Sequence, residues 1–317
     1  MLSLIRKIIF RVVDICLLPF SILFLPLLKK IRQYGVLNFP IHQWFFGKIG
    51  VFPVTDHYYE PQFVFPQPYD GSKRRKLLID FQEKEQLTAL ASMKYTEELM
   101  DFKQEYCDDD FYLDNPAFSS ADADLYYLLI RNQKPARIIE IGSGFSTRLA
   151  LKAIQKNKEE GHDTKLTCIE PYEMEWLDAA DNIELIRKKL EDVPDALFGT
   201  LKEGDILFID SSHIIRPGND VLVEYLQILP LLSKGVLVHI HDIFSPRDYP
   251  TKWVTEEYRF WNEQYLLEAF LYFNESFRVR FAVNLLQYEF FSAASTTLIH
   301  MQTGKEPGSF WIERIKE

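Results

Sequence analysis

The 317-residue chain is 47% hydrophobic and 26% charged, which fits a folded protein with a sizeable core. Its formal net charge of −10 argues against nonspecific nucleic-acid binding, which needs clustered Lys and Arg. Cys16, Cys107 and Cys168 lie far apart, so they form neither a disulfide framework nor a paired metal spacing, and suit a reducing compartment.

The N-terminal residues 1–33 carry Arg6, Lys7, Arg11, Lys29, Lys30 and Arg32 against one acid, Asp14, so the remainder is more acidic than the total suggests. Between these charges runs CLLPFSILFLPLL, from Cys16 to Leu28. As a helix it reaches about 20 Å, short of the roughly 30 Å hydrocarbon layer. Extension back to Ile8 brings in Arg11 and Asp14, costly at mid-bilayer and tolerable near an interface. Pro19 and Pro26 are expected to bend the helix. Positive flanks on both sides give no orientation for a single span, whereas a re-entrant or interfacial helix satisfies both. Membrane attachment is therefore expected for 1–33, with the rest of the chain in the cytoplasm. A single span, a cleaved signal and a helix buried against the folded domain are the alternatives.

Residues 34–69 are rich in aromatics and proline and hold no lasting period, which reads as an interfacial collar or an extended arm over the core. LLIDFQEKEQLTALASMKYTEELMDF then has helical periodicity and completes a lead-in over 34–117. FSSADADLYYLLIRNQK offers Ser120 or Asp122 as the cap of a further helix, opening a domain expected over 118–317.

In ARIIEIGSGFSTRLALKAI the spacing predicts a buried strand over 137–141, a turn at Gly142 and Gly144, and a helix whose N-terminal amides favour an electron-rich group. KLTCIEP ends a second strand at Glu170, one strand–helix–strand unit later. There a carboxylate could accept bonds from ribose hydroxyls, or cap the following PYEMEWLDAA. NIELIRKKLEDV supplies a third strand. GDILFIDSSH delivers Asp210 and His213, PGNDVLVEYLQILPLL is the crossover helix, and KGVLVHIHDIF ends in His241 and Asp242. The alternation implies an α/β, Rossmann-like three-layer sandwich around a mostly parallel sheet, with the ligand site at the strands' carboxyl ends. A pyrophosphate loop expects a third glycine where Ser146 stands, so a nucleoside with a small charged tail fits better.

These residues resemble the class I S-adenosylmethionine-dependent methyltransferases: EIGSG their first motif, IEP the end of their second strand, GDILFID their fourth-strand motif, over roughly residues 118–290. The resemblance is nearest to a bacterial branch linked to sugar and cell-surface biosynthesis. It implies S-adenosylmethionine as cofactor, with Gly142, Ser143 and Gly144 near its methionine part, Glu140 near its amino group and Glu170 on its ribose. Asp210 would complete the cofactor site.

Methyl transfer to oxygen needs in-line positioning and a route for the hydroxyl proton. His213, His241 and Asp242 are the catalytic candidates, with His as a base near neutral pH. Alternatively Asp210, His241 and Asp242 hold a divalent ion. The resemblance implies an acid after the fourth strand and an acid–amide pair after the fifth; HD in the second place suits Zn, Mn or Fe better than Mg. His239 lies deeper and reads as structural. Arg247 could bind an anionic acceptor group or form a surface salt bridge. Asn262, Glu263 and Gln264 make a polar interruption in an aromatic helix that could face the pocket or lie exposed, and Asp220 and Glu224 read as solvated. The C-terminal SAASTTLIHMQTGKEPGSFWIERIKE reads as a closing loop and terminal segment.

The expected activity is methyl transfer to a hydroxyl of a small-molecule or lipid-linked saccharide acceptor at a membrane surface. A nicotinamide-dependent oxidoreductase and an inactive nucleoside-binding scaffold are the alternatives. No nucleic-acid partner is expected, because no basic groove or Asn/Asp-Pro-Pro-aromatic motif is present.

Overall fold

A computed structural model describes residues 2–49, 69–107, 110–172, 174–180, 182–257 and 259–316. Contacts divide the chain into two compact units, Met1–Tyr69 and Asp70–Glu317.

In the first unit a 33-residue helix, Leu2–Tyr34, runs uninterrupted through Pro19 and Pro26. Its Ile5–Tyr34 portion is long and apolar enough to cross a membrane, and none of its most apolar window is buried. The flanking lysines and arginines lengthen the effective apolar reach, because their aliphatic stems lie along a helix while the charges turn outward. A short helix, Pro40–Ile49, follows with Ile41, Trp44, Phe45 and Ile49 exposed. The rest of the aromatic stretch, 50–68, lies outside the described residues.

The second unit is built on seven strands: β1 Arg137–Ile141, β2 Lys165–Ile169, β3 Glu184–Ile186, β4 Ile206–Ile209, β5 Leu237–Ile240, β6 Phe277–Ala282 and β7 Phe310–Arg314. Their order is β3-β2-β1-β4-β5-β7-β6, with β1 to β5 parallel and β7 antiparallel to both neighbours. Side chains alternate across the sheet. Ile138, Phe208, Leu237 and Trp311 pack into one apolar layer. Ile139, Leu207, Val238 and Ile312 pack into the other. This is the expected three-layer sandwich. Residues 70–117 share these layers: Phe81, Leu90, Leu99 and Phe102 are all buried in them. The helical lead-in is broken into Glu83–Ala91 and a 3-10 turn, Thr96–Asp101.

Chain order reverses at β1, which pairs with β2 on one side and β4 on the other. Such a switch point opens a crevice beyond the strands' carboxyl ends.

Candidate active site

Three backbone hydrogen bonds tie four strand ends together at that crevice. The Gly142 amide donates to Ile169 O at 3.0 Å, Asp210 N donates to Ile141 O at 2.9 Å and His241 N donates to Ile209 O at 2.9 Å. Gly142 has φ 78°, and a Cβ there would stand 1.9 Å from the Asp210 carbonyl oxygen. Only glycine fits. Gly144 differs: its φ of 176° is ordinary extended backbone, and a Cβ there would meet no atom within 4 Å.

Glu170 closes the turn as its spacing implied. Its Oε2 accepts the Ser143 amide at 3.2 Å and its Oε1 the Tyr172 amide at 2.8 Å. Glu140 points into the layer beneath, fully buried, with Thr147 Oγ1 donating to Oε2. Its Oε1 has no partner, nor has the buried Ser143 hydroxyl. Burial pushes the Glu140 carboxyl up to about 7.

Two cavities flank the turn. One of about 300 Å³ is lined by Gly142, Glu170, Tyr172, Leu190 and Ser212. The other, about 380 Å³, is walled by Tyr112, Phe118, Ser143, Phe145 and Trp176. Asp210 lines both.

Beside Asp210 lies the centre of charge. His213 Nε2 is 3.2 Å from Asp210 Oδ1 and 3.5 Å from Asp242 Oδ2, and Nδ1 is 3.0 Å from Glu263 Oε2. Burial opposes a charge on this ring, but Asp210, Glu263 and Asp242 outweigh it and hold the imidazole well above its usual range. One oxygen each from Asp210 and Asp242 and one nitrogen from His213 fall within 4.8 Å of one another, a donor set able to hold a divalent ion. His213 and Asp242 have φ 59° and 57°, left-handed conformations that cost a non-glycine residue about 1–2 kcal/mol.

His241 was expected in that ion set, and the structure places it outside. It follows the alternation of Leu237 and His239, toward Phe118 at 5.2 Å between ring centroids. Asp242 turns left-handed and brings its carboxylate to His213, while His241 Nε2 keeps one contact with the set, at 3.7 Å from Asp242 Oδ1. Burial opposes a charge on His241 too, but Asp242, Asp210 and the buried Asp122 hold it above its usual range. His239, 5.4 Å from His241 between centroids, is deep and is kept neutral by burial.

Other expectations shift. Arg247 stacks on Tyr288 and pairs with Glu289 at 3.4 Å, away from both cavities. Asp220 is no solvated carboxylate: it accepts the Ser212 amide at 3.0 Å and the Ser212 hydroxyl at 2.6 Å. Glu224 is fully buried. Asp122 caps no helix and instead receives the Gly308 and Ser309 amides at 2.9 and 3.0 Å. Gly308, from the GSFW stretch, packs so closely under Asp242 that a Cβ would sit 2.9 Å from its Cα. Asp122 and Gly308, supports of the site, carry no motif; the exposed face expected of a helix start hid the first.

The family profile described as "Methyltransferase domain" matches residues 139–243. An uncharacterized protein of Archaeoglobus fulgidus is 30% identical over 207 residues, covering 59% of this chain and 89% of the relative. Among solved structures, the O-methyltransferase from Bacillus cereus with S-adenosylhomocysteine is 12% identical, covering 73% of this chain and 90% of its own, at a TM-score of 0.37. A complex of CmcI with magnesium and S-adenosylmethionine is 16% identical, covering 71% and 86%, at 0.36.

Proposed function

We propose that the chain is a class I S-adenosylmethionine-dependent methyltransferase, a reading the methyltransferase-domain profile over residues 139–243 supports, and that it methylates a hydroxyl of a saccharide or lipid-linked saccharide at a membrane surface. The observation that carries this reading is the convergence of Glu170, the glycine turn and the Asp210–His213–Asp242 centre along one crevice, with Asp210 common to both cavities.

The residues fit the cofactor. Glu170 stands at the rim of the smaller cavity with lone pairs to spare for ribose hydroxyls. The Ser143 hydroxyl, buried without a partner on the wall of the larger cavity, suits the polar end of a methionine tail, whereas Glu140, expected near the ammonium, lies beneath the turn and lines neither cavity. When bound, S-adenosylmethionine supplies an electrophilic methyl on a sulfonium. The protein's part is to align the acceptor oxygen and receive its proton. Asp210 and Asp242 are the carboxylates at hand, and His213 passes charge between them. A divalent ion held by Asp210, His213 and Asp242 would replace the proton on Nε2 and stabilise the developing alkoxide.

Aromatic walls at Tyr112, Phe118, Phe145 and Trp176 support a ring-shaped acceptor, since such faces stack on the apolar faces of sugars. The Leu2–Tyr34 helix, long and apolar enough to cross a membrane, supports attachment to a bilayer. The test is a screen of sugar nucleotides and glycolipids with labelled S-adenosylmethionine, read as gain of one methyl by mass. Methylation of a member of either class is expected; transfer to neither, with cofactor bound, contradicts the acceptor assignment.

A further inference from the structure

His213 sits on the loop after β4, and its ring is held from a different part of the chain. Glu263 opens the helix Glu263–Tyr272 and places Oε2 at 3.0 Å from His213 Nδ1. The same helix start grips the loop's backbone. The Asn262 and Glu263 amides donate to the His213 carbonyl at 3.0 and 3.2 Å, and Asn262 Oδ1 accepts the Ile215 amide at 2.5 Å. Glu263 is fully buried, and its second oxygen receives the Tyr225 hydroxyl at 3.2 Å.

Tyr225 belongs to a π-helical turn, Glu224–Ile228, inside the crossover helix. Such turns recur at functional sites. The turn also buries Glu224, whose two oxygens have no hydrogen-bond partner. Burial, then the nearby Glu263, push the Glu224 carboxyl up. Burying the Glu263 carboxyl costs stability that an apolar residue of the same volume would not. Its contacts with a reactive imidazole account for that cost.

We propose that Glu263 is the positioning residue of this site: its carboxylate pins Nδ1–H of His213, so that Nε2 is presented to the gap between Asp210 and Asp242. The inference rests on reading those three residues as the reactive centre. An ionised carboxylate only accepts, so it fixes which ring nitrogen keeps its proton, as outer partners of metal-bound and catalytic histidines do. Tyr225 holds Glu263 from behind. The chain of contacts thus runs from the crossover helix, through the start of Glu263–Tyr272, to the loop after β4.

The test uses the full chain in detergent with ¹⁵N-labelled histidine, the His213 signals being assigned with His213→Gln. The wild type is expected to show a protected Nδ1–H resonance. In Glu263→Gln the amide can donate to Nδ1 instead, so this resonance moves or is lost to exchange, while S-adenosylhomocysteine affinity stays within about two-fold. Tyr225→Phe, which keeps the His213 contact, should give an intermediate exchange rate. An unchanged resonance in Glu263→Gln overturns the proposal, as does joint loss of ligand binding and cooperative melting in both variants. Should the wild type itself fail to bind S-adenosylhomocysteine, the methyl-transfer reading falls, and the resonance still decides the role of Glu263. With an acceptor in hand, Glu263→Gln should lower kcat about 10–100-fold with KM nearly constant. A change confined to KM would also overturn it.

Discussion

Gly142 and Gly144 stand two apart in one motif, and their substitution should have unlike consequences. Gly142→Ala forces a Cβ onto the Asp210 carbonyl from a left-handed backbone, and neither strand end can retreat without breaking the β1–β4 pairing. A loss of about 2 kcal/mol or more is expected, read from the urea midpoint. Gly144→Ala meets no atom, and its midpoint should shift by less than about 0.5 kcal/mol. Glu140 gives a second prediction at this scale. Its carboxyl titrates near 7 in the folded chain against 4.5 unfolded. Between those values the unfolded chain has lost a proton that the folded one keeps, so stability falls as pH rises from 4.5 to 7 and levels off above. The fall is on the order of 3 kcal/mol. Glu140→Gln should flatten that part of the wild-type profile. Equal slopes in urea titrations of both proteins would contradict it.

Among the elements, Arg131 of the helix Ser120–Gln133 fastens that helix to its surroundings. Its guanidinium is buried, bonds Glu98 twice at 2.8 Å, reaches Glu160 at 2.5 Å and lies 4.0 Å from the Tyr95 ring. Arg131→Met leaves the partly buried Glu98 carboxylate without its cation, only the Tyr127 hydroxyl remaining, and should cost about 3 kcal/mol, measured as the shift in thermal or urea unfolding. The parallel strands β1, β2, β4 and β5 were legible because apolar runs end there in chemistry-bearing residues: Glu140 and Gly142, Glu170, Asp210, His241. The terminal strand β7 was not. Phe310, Trp311 and Ile312 are buried on both faces, so the two-residue alternation that marks a half-buried strand is missing. Glu263 was legible only as one member of a polar interruption, Asn262 to Gln264, in an aromatic helix. Its partner was not, because only tertiary packing brings it 3.0 Å from an imidazole fifty residues earlier in the chain. The Asp210–His213 pair was legible as a strand end, whereas the exclusion of His241 depends on a left-handed turn that no residue type announces.

At the scale of the whole molecule, the chain combines an apolar N-terminal unit with a catalytic one that begins at Asp70. Residues 70–317 hold the complete sheet and both cavities, so this fragment should fold and bind S-adenosylhomocysteine as the full chain does. The full chain should sediment with membranes and be released by detergent rather than by high salt, because burial of an apolar helix is insensitive to ionic strength. Release by salt alone would contradict the membrane assignment. The proposed chemistry stands on the glycine turn and Glu170 holding one adenosyl ligand between them. The most direct measurement is titration calorimetry of S-adenosylhomocysteine into the wild type and Glu170→Ala, with NAD as the competing ligand. One site per chain is expected for S-adenosylhomocysteine, with affinity reduced at least ten-fold in the variant and no heat from NAD. Binding of NAD in place of S-adenosylhomocysteine, or equal affinity in the two proteins, would contradict it.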